Sequence, residues 1–419
     1  MAAKTTRRRS RGDGSVGSYR TKAGTRWYWK ATLVQPDGSK RVVWKRGFLV
    51  KTTPRGKTTP VGALDAMREA LVAAKAGTYA EPSKRTVGSW LDEWTGTLRL
   101  SPSTIASYRK NIRLHVRPYI GELPLASLTS ARLTSLYRQL ETEGRRDGRG
   151  ELAGGGLSAR TVRYIHTIIS AAMAAAVDAE PPLLVRNPAH KASPPTAKEA
   201  RPPEMHPWTA DQLGAFLAWS RGNSPLHAAW WLLAYSGMRR GELLALRWRD
   251  IDLDAGTIAI RRSVGVVRNK GEGATVREAA TKTDKSRRVI DTDPATVAIL
   301  RAWKRERGEL ALALARPDAL VFSTPNGEHL HPERFWRTFR ATLARCRKEL
   351  GEDAPPVITI HDLRHTHASL LLAAGEPVKT VSERLGHASV TVTLGVYAHV
   401  MPGDQKRAAG RFAALVGQA

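Results

Sequence analysis

One cysteine, Cys346, occurs in 419 residues. A disulfide framework, a CxxC zinc finger and a cysteine-ligated iron–sulfur centre are therefore excluded. No apolar run approaches the ~18 residues that would mark a membrane-spanning helix. The opening stretch, MAAKTTRRRSRGDG, is basic and has no apolar segment, so it does not read as a secretory signal. Acidic residues are scarce: 38 Asp and Glu face 67 Lys and Arg, a net charge of +29. Enough is present to fold, because a 42% hydrophobic content supports real cores and rules out a disordered basic tail. The length predicts two or three domains. A soluble protein of a reducing compartment is expected, with a polyanionic partner, most simply nucleic acid. Charge by itself leaves general solubility and indiscriminate RNA binding open.

The basic surplus is uneven. Residues 1–60 hold 16 Lys and Arg against only Asp13 and Asp37, nearly half of the +29. Residues 26–34 and 41–48 alternate and are rich in β-formers, with Pro36-Asp37-Gly38 between them as a hairpin signal, and Tyr19 falls on an expected earlier strand. The expected module over 1–60 is a small sheet with aromatics on one face and Arg and Lys on the other. Such a face could lie in a DNA groove; the plainer reading is a solvated basic surface.

From residue 61 the periodicity becomes helical. The spacing predicts a connecting helix within 61–83, then a helical domain over 84–180 with helices at 86–97, 103–118, 129–141 and 158–179. Residues 181–207 contain eight prolines and predict a semi-rigid, extended linker. A third unit, 208–419, opens with a helix capped by Thr209. Helices are expected at 225–236, 239–247, 294–315, 331–350, 361–374, 377–385 and 389–397, with a β section over about 250–291. The fold class predicted is multidomain α+β: a small N-terminal β-sheet module, a helical domain, and a mainly α domain carrying a small sheet.

Several short motifs mislead. Gly12-Asp13-Gly14-Ser15-Val16-Gly17 matches GxGxxG but follows RRRSR rather than an apolar strand, and no βαβ unit surrounds it. Gly56-Lys57-Thr58 imitates the end of a P-loop, yet Lys51 occupies the first glycine's place. His361, His365 and His367 crowd into seven residues, but HExxH is absent and Arg364 lies among them, where its cation opposes a metal ion. No metal or cofactor is expected.

The informative residues are Arg239 and Glu242 in Ser236-Gly237-Met238-Arg239-Arg240-Gly241-Glu242, Lys282 in Thr281-Lys282-Thr283-Asp284-Lys285-Ser286-Arg287-Arg288, His361 and Arg364 in HxxR, His387 after Gly386, and Tyr397. Two arginines can grip both free oxygens of a phosphodiester through bidentate forks. Fixed cations best stabilise the negative charge that grows as the phosphorus is attacked. Tyrosine is only about 0.1% ionised at pH 7, so a nucleophilic tyrosine needs a base or a strongly positive site. The histidines and arginines offer both, and a lysine on a hairpin can protonate a leaving oxygen. Each fragment alone has an ordinary explanation, whether a surface ion pair, a turn lysine, a helix cap or a packed tyrosine. Their joint order does not.

That order resembles the catalytic domain of the tyrosine recombinases: an arginine in a TGxRxxE-like helix start, a hairpin lysine, HxxR, GH or GW, then a tyrosine about ten residues on. Ser236 stands where the family has threonine, and Lys282 fits the KTxxSxR pattern better than its neighbour Lys285. The resemblance implies a site-specific integrase acting through a 3′-phosphotyrosyl link, without ATP or metal. Tyr397 would be the nucleophile; Arg239, Arg364 and His387 would hold the phosphate; His361 would be the base and Lys282 the acid, with Glu242 bracing Arg239. The helical domain would bind core DNA sites and the basic sheet module separate arm sites. Four copies would act together on double-stranded DNA, with accessory bending or excision proteins as further partners, in the bacterial cytoplasm at the nucleoid. In the family a C-terminal tail docks on a neighbouring copy, and Ala408, Phe412, Leu415 and Val416 form a matching apolar stripe; packing on its own domain is the alternative. A type IB topoisomerase and an inactive DNA-binding regulator are the rival readings.

Overall fold

The computed structural model describes residues 14–34, 40–54, 60–75, 85–147, 150–180, 182–201, 204–269, 273–280, 287–397 and 404–417. Asp13 of the GxGxxG match, the Pro36-Asp37-Gly38 turn, Gly56-Lys57-Thr58, residues 76–83 of the connecting segment, Lys282 and Lys285 lie outside the described residues. Two compact units emerge, one of residues 1–100 and 107–202, the other of residues 101–106 and 203–419. Among the described residues no helix is long and apolar enough to cross a membrane.

The first unit begins with strands β1 (Ser15–Thr21), β2 (Gly24–Val34) and β3 (Lys40–Phe48), an antiparallel meander in the order β1-β2-β3. Alternation along β2 sends Trp27, Trp29, Ala31 and Leu33 to one side, where Val43 and Phe48 join them. This side packs on helix α1 (Ala63–Lys75) through Ala63, Met67, Ala70 and Ala74. The helix thus completes the sheet's core rather than only leading to the next domain. Thr53 N–H donates to the Asp65 carboxylate at 2.6 Å and ties the helix to the segment after β3.

The other face of the sheet corrects the expected division into an aromatic side and a basic side. Tyr28 has Tyr19 at 6.4 Å and Trp44 at 5.7 Å between ring centroids, and the Arg46 guanidinium stacks 3.6 Å over the half-exposed Trp44 ring. Aromatics occupy both faces because only the side over α1 is covered. On the open side the Arg46 cation covers the Trp44 ring.

Helix α2 (Val87–Thr97) starts in a Thr86/Ser89 capping box. Helix α3 (Pro102–Asn111) runs into a π-helical stretch, Ile112–Val116, and then the short α4 (Arg117–Ile120). The sequence predicts one uninterrupted helix here. Pro118 has no N–H to donate and crowds the preceding turn; the wider turn just before it absorbs the misfit, and the chain stays helical to Ile120. Helices α5 (Ser130–Glu143) and α6 (Ala159–Val177) are capped by Thr129 and Ser158 and bury Leu133, Leu136, Tyr137 and Leu140 against Val162, Ile165, Ile169 and Met173. The Trp90 indole N–H donates to the Ala172 carbonyl at 2.8 Å, joining α2 to α6.

The proline-rich stretch is no free extended linker over residues 183–195. Leu184 and Ala189 are buried in the helical core, Asn187 Nδ2 donates to the Ser170 carbonyl at 2.9 Å, and Ser193 N–H donates to Thr134 Oγ1 at 3.0 Å. The prolines exclude regular structure, as expected. The residues between them still carry enough apolar surface and side-chain donors to strap the segment onto α5 and α6.

In the second unit α7 (Ala210–Asn223), α8 (His227–Ser236) and α9 (Arg240–Leu244) precede the β section. Strands β4 (Ile251–Asp252) and β5 (Thr257–Ile260) form an antiparallel sheet with the later β8 (Arg288–Asp291), while β6 (Arg262–Asn269) and β7 (Gly273–Ala280) form a separate hairpin. Then come α10 (Pro294–Leu310), α11 (Pro332–Leu350), α12 (Asp362–Ala373), α13 (Val378–Leu385), α14 (Val390–Tyr397) and α15 (Asp404–Val416). Trp208, Phe216, Trp230, Phe335 and Phe339 fill the centre of the core. Cys346 is buried among them, and burial pushes its thiol up to about 11, so it is a packing residue.

Candidate active site

Helix α8 ends in a left-handed residue, Gly237 at φ 62°, whose N–H donates back to the Leu233 carbonyl. A side chain here would be strained, and its Cβ would also come within 2.7 Å of the His367 ring. The resulting sharp turn delivers Arg239 to the cap position just before α9, in extended geometry. Three residues on, Glu242 accepts from the Arg239 backbone N–H at 2.9 Å and from its guanidinium at 2.8 Å. The far guanidinium nitrogen of Arg239 donates to the Gly386 carbonyl at 3.1 Å, which places Arg239 beside the loop carrying His387.

Glu242 is only 3% exposed and serves a second arginine. Both terminal nitrogens of Arg288, on β8, donate to its carboxylate at 3.2 and 2.9 Å, and Arg288 Nε donates to the Arg384 carbonyl at 2.7 Å. Burial pushes the Glu242 carboxyl upward; the bonds and charge of Arg288, then those of Arg239, outweigh it and hold the group below the usual carboxylate range. Arg288 was not among the candidates, although it closes the KTxxSxR pattern. The pattern pointed to its lysine and gave no sign that the arginine folds back on Glu242.

Helix α12 carries the second cluster. His361 sits at its first turn, with Arg364 and His365 three and four residues on, so all three share one side. Arg364 is 3% exposed; one terminal nitrogen donates to the Gly237 carbonyl at 2.7 Å, and the other is buried with no hydrogen-bond partner among the described residues. Burial, with the Arg239 and Arg288 charges, lowers its pKa to about 9 in spite of Glu242. A buried guanidinium nitrogen without a partner, set among other cations, is a ready anion site.

His387 follows Gly386, which caps α13 at φ 67° and packs on the Arg288 guanidinium so closely that a Cβ would sit 2.9 Å from it. The His387 ring meets Thr393 Oγ1 through Nδ1 at 2.8 Å, and burial with the Arg364 and Arg239 charges lowers it to about 4. His361 is lowered to about 4 as well, by burial first and then by His365 and Arg364. Both imidazoles are neutral at physiological pH.

Tyr397, the last residue of α14, is 1% exposed and packs with Ala368, Leu372, Val381 and Leu385. Burial raises its hydroxyl to about 12, against the pull of Arg364. Its hydroxyl meets His365 Nδ1 at 2.6 Å. The base expected from sequence, His361, stands one ring further away: its imidazole meets His365 edge-on at 4.9 Å between centroids. The structure thus brings together Arg239, Glu242, His361, Arg364, His387 and Tyr397, adds His365 and Arg288, and leaves Lys282 outside the described residues. The signal for His365 was present in the sequence, four residues after His361 on the same helix, but it read as one of a histidine cluster. His367 belongs elsewhere. Its Nδ1 donates to the Ala234 carbonyl at 2.8 Å and its Nε2 accepts from Arg384 at 3.1 Å, which braces the α8 turn under Gly237.

The sequence profile described as the phage integrase family matches residues 208–403, and that of the phage integrase N-terminal SAM-like domain matches residues 86–140. The chain belongs to the phage integrase family. Among curated members, an integrase of Streptomyces ambofaciens is 28% identical over 405 residues, covering 93% of each chain. The ICEBs1 integrase of Bacillus subtilis is 28% identical and covers 74% of this chain and 77% of its own. A tyrosine recombinase XerC-like protein of Caldanaerobacter subterraneus is 24% identical over 340 residues, 77% of this chain and 81% of the relative. Of solved family folds, the Tn1549 transposon integrase in complex with a circular intermediate DNA superposes with a TM-score of 0.64 at 21% identity, covering 78% of this chain and 100% of that one. The lambda integrase tetramer bound to a Holliday junction gives 0.50 at 17% identity, covering 93% and 96%. Membership in the phage integrase family carries DNA cleavage and rejoining as the chemistry of the domain.

Proposed function

We propose that the chain is a site-specific DNA integrase that cuts and rejoins double-stranded DNA through a 3′-phosphotyrosyl intermediate, serving a phage or another mobile element. The observation that carries this reading is the buried, unpartnered nitrogen of Arg364, set beside Arg239 and close enough to Tyr397 for their charges to interact. A scissile phosphate offers the oxygens this edge lacks. Arg239 and Arg364 then neutralise the charge growing on the phosphate, and neutral His387 adds a hydrogen bond. Tyr397 Oη bonds to phosphorus, the bond to the 5′-oxygen breaks, and Lys282 supplies the proton that oxygen needs. The phosphotyrosyl link keeps the energy of the broken bond, so rejoining needs no ATP, and the arginines and lysine provide what a metal ion supplies in other nucleases.

The domains 84–180 and 208–419 would each bind core DNA, and the sheet module would read arm sites. Support for the latter is the open sheet face, where Tyr19, Tyr28 and Trp44 lie among cations. The acting assembly is proposed as four copies on two duplexes in the bacterial cytoplasm, with bending or excision proteins setting direction. Helix α15 fits this: Phe412, Leu415 and Val416 are 67%, 84% and 60% exposed, an apolar stripe left uncovered by its own domain. Deleting residues 403–419 is expected to abolish paired-site complexes on native gels while leaving binding to a single site intact. Unchanged recombination by that truncation would defeat the docking role.

The direct test of the reaction is a nicked suicide duplex, tiled across the DNA beside the coding region, with a detergent-resistant protein–DNA adduct as the readout. The wild type is expected to form the adduct and Tyr397→Phe to lose it completely while still binding the same duplex. An adduct formed by Tyr397→Phe would move the nucleophile elsewhere.

A further inference from the structure

We infer that His365 is a catalytic residue, the group that takes the Tyr397 proton during strand cleavage and returns it during rejoining. The inference rests on the phosphotyrosyl reading above and assigns a step within it. The contact is direct, 2.6 Å between His365 Nδ1 and the Tyr397 hydroxyl, with the two rings tilted at 53° and their centroids 5.6 Å apart. This is hydrogen-bond reach for a general base, met before any DNA is present. His361 contacts the His365 ring rather than the tyrosine.

The protonation states suit the transfer. Burial lowers His365 from its ordinary value, with Asp362 opposing and Arg364 assisting, so at neutral pH its imidazole is uncharged. Tyr397 is held protonated by burial. The tyrosine O–H therefore donates and Nδ1 accepts, which requires the tautomer protonated at Nε2. The charged and titratable neighbours of His365 are His361, Asp362 and Arg364 on its own helix, Tyr397 on α14, and His387 in the loop before α14. Asp362 is the one anion among them, placed to steady the imidazolium that forms.

Proton and electron pairs balance. The Tyr397 O–H bond breaks as the O–P bond forms, the proton passes to His365 Nδ1, and the P–O5′ bond breaks with its electron pair going to oxygen. That oxygen is protonated from a separate acid, Lys282. In rejoining, the 5′-hydroxyl attacks phosphorus and His365 returns its proton to the departing tyrosine oxygen. Using different groups for the two protons makes the two roles separable by experiment.

The test is single-turnover adduct formation on the nicked suicide duplex by the wild type, His365→Asn, His361→Asn and Lys282→Ala, with DNA binding measured alongside. Asparagine at 365 can place an acceptor oxygen near Nδ1 and hold the hydroxyl, yet it cannot take the proton. His365→Asn is expected to bind DNA as the wild type does and to cleave about 10²–10³-fold more slowly. Its rate should climb roughly tenfold per pH unit between pH 6 and 9, because tyrosine must now ionise first. The wild-type rate should climb far less steeply above neutral pH, since burial lowers His365 from its ordinary value and keeps its imidazole able to accept the proton there.

A duplex with sulfur in place of the scissile 5′-oxygen, which leaves without needing a proton, should rescue Lys282→Ala and leave His365→Asn slow. Fluorotyrosine at 397, which ionises more readily, should narrow the His365→Asn deficit. Cleavage by His365→Asn within threefold of the wild type, or the steep pH profile appearing in His361→Asn instead, would overturn the inference while the phosphotyrosyl reading stands. Absence of any Tyr397-dependent adduct from the wild type would overturn both.

Discussion

Replacing Arg364 by methionine is expected to slow DNA cleavage by about 10²–10³-fold, the cost of losing one fixed donor to a developing oxyanion, without lowering thermal stability. The two effects part because of where this side chain sits. Its guanidinium is 3% exposed, one nitrogen is unpaired, and the nearby Arg239 and Arg288 repel it enough to help bring its pKa down to about 9. What the folded protein gains from it is one hydrogen bond, to the Gly237 carbonyl at 2.7 Å, worth about 1 kcal/mol, and an attraction to Glu242 that burial and the other arginines outweigh. Burying a cation without a full set of partners costs more than that. Methionine removes the charge and keeps much of the volume, so the melting temperature should stay level or rise. Calorimetry beside the suicide-substrate assay checks both halves. A large fall in melting temperature with cleavage intact would show that Arg364 is a structural residue.

Glu242→Ala should do the reverse, destabilising the second unit by about 3–5 kcal/mol, the usual consequence of stranding buried charge. Its carboxylate is the shared counter-ion of Arg239 and Arg288, and the Arg288 side chain is itself only 7% exposed. Without it two guanidinium groups face each other and Arg364 with nothing between them. A Glu242→Met, Arg288→Met double variant should recover much of the loss, and the coupling energy from the full cycle measures how far the pair acts as a unit. Denaturant titration reads these differences. Acid adds a second check. The folded-state pKa of Glu242 lies below its ordinary value of 4.5, so its contribution is complete above that value and is lost as pH falls through the folded pKa. The wild type should weaken over that acid range, and Glu242→Gln should show a shallower decline there. Equal acid limbs would mean that Glu242 is not the anion holding these arginines.

Much of the fold was legible along the chain because its signals are local. Thr86, Thr129, Ser158 and Thr209 are caps whose side chains accept from backbone N–H groups within the first helical turn. Helix boundaries placed from apolar spacing, and from Thr209 as a cap, fall within a few residues of the observed ones. Period-two alternation likewise marked β2 and β3. Readings failed where a local rule met a non-local demand. The spacing over 103–118 predicts one regular helix, and the chain instead widens into a π turn at Ile112–Val116, with Ile112, Leu114 and Val116 buried. The prolines of 183–195 forbade regular structure but could not show that Leu184 and Ala189 would be drawn into the helical core.

The sequence by itself determined the family, the order of the helices, the N-terminal strands, the place of a later β section, and six of the residues that the fold brings together. Those follow from motif order, periodicity and capping, which one strand of text records in full. Tertiary structure alone decided which partner each of them meets. Arg288 joins Glu242 because the start of β8 comes within hydrogen-bond reach of α9. Tyr397 meets His365 rather than His361 because α14, packed on α13, ends with the tyrosine hydroxyl beside the His365 ring. Both outcomes depend on how separate elements pack, and a hydrogen bond is specific to a few tenths of an ångström where a sequence motif is specific only to a residue type.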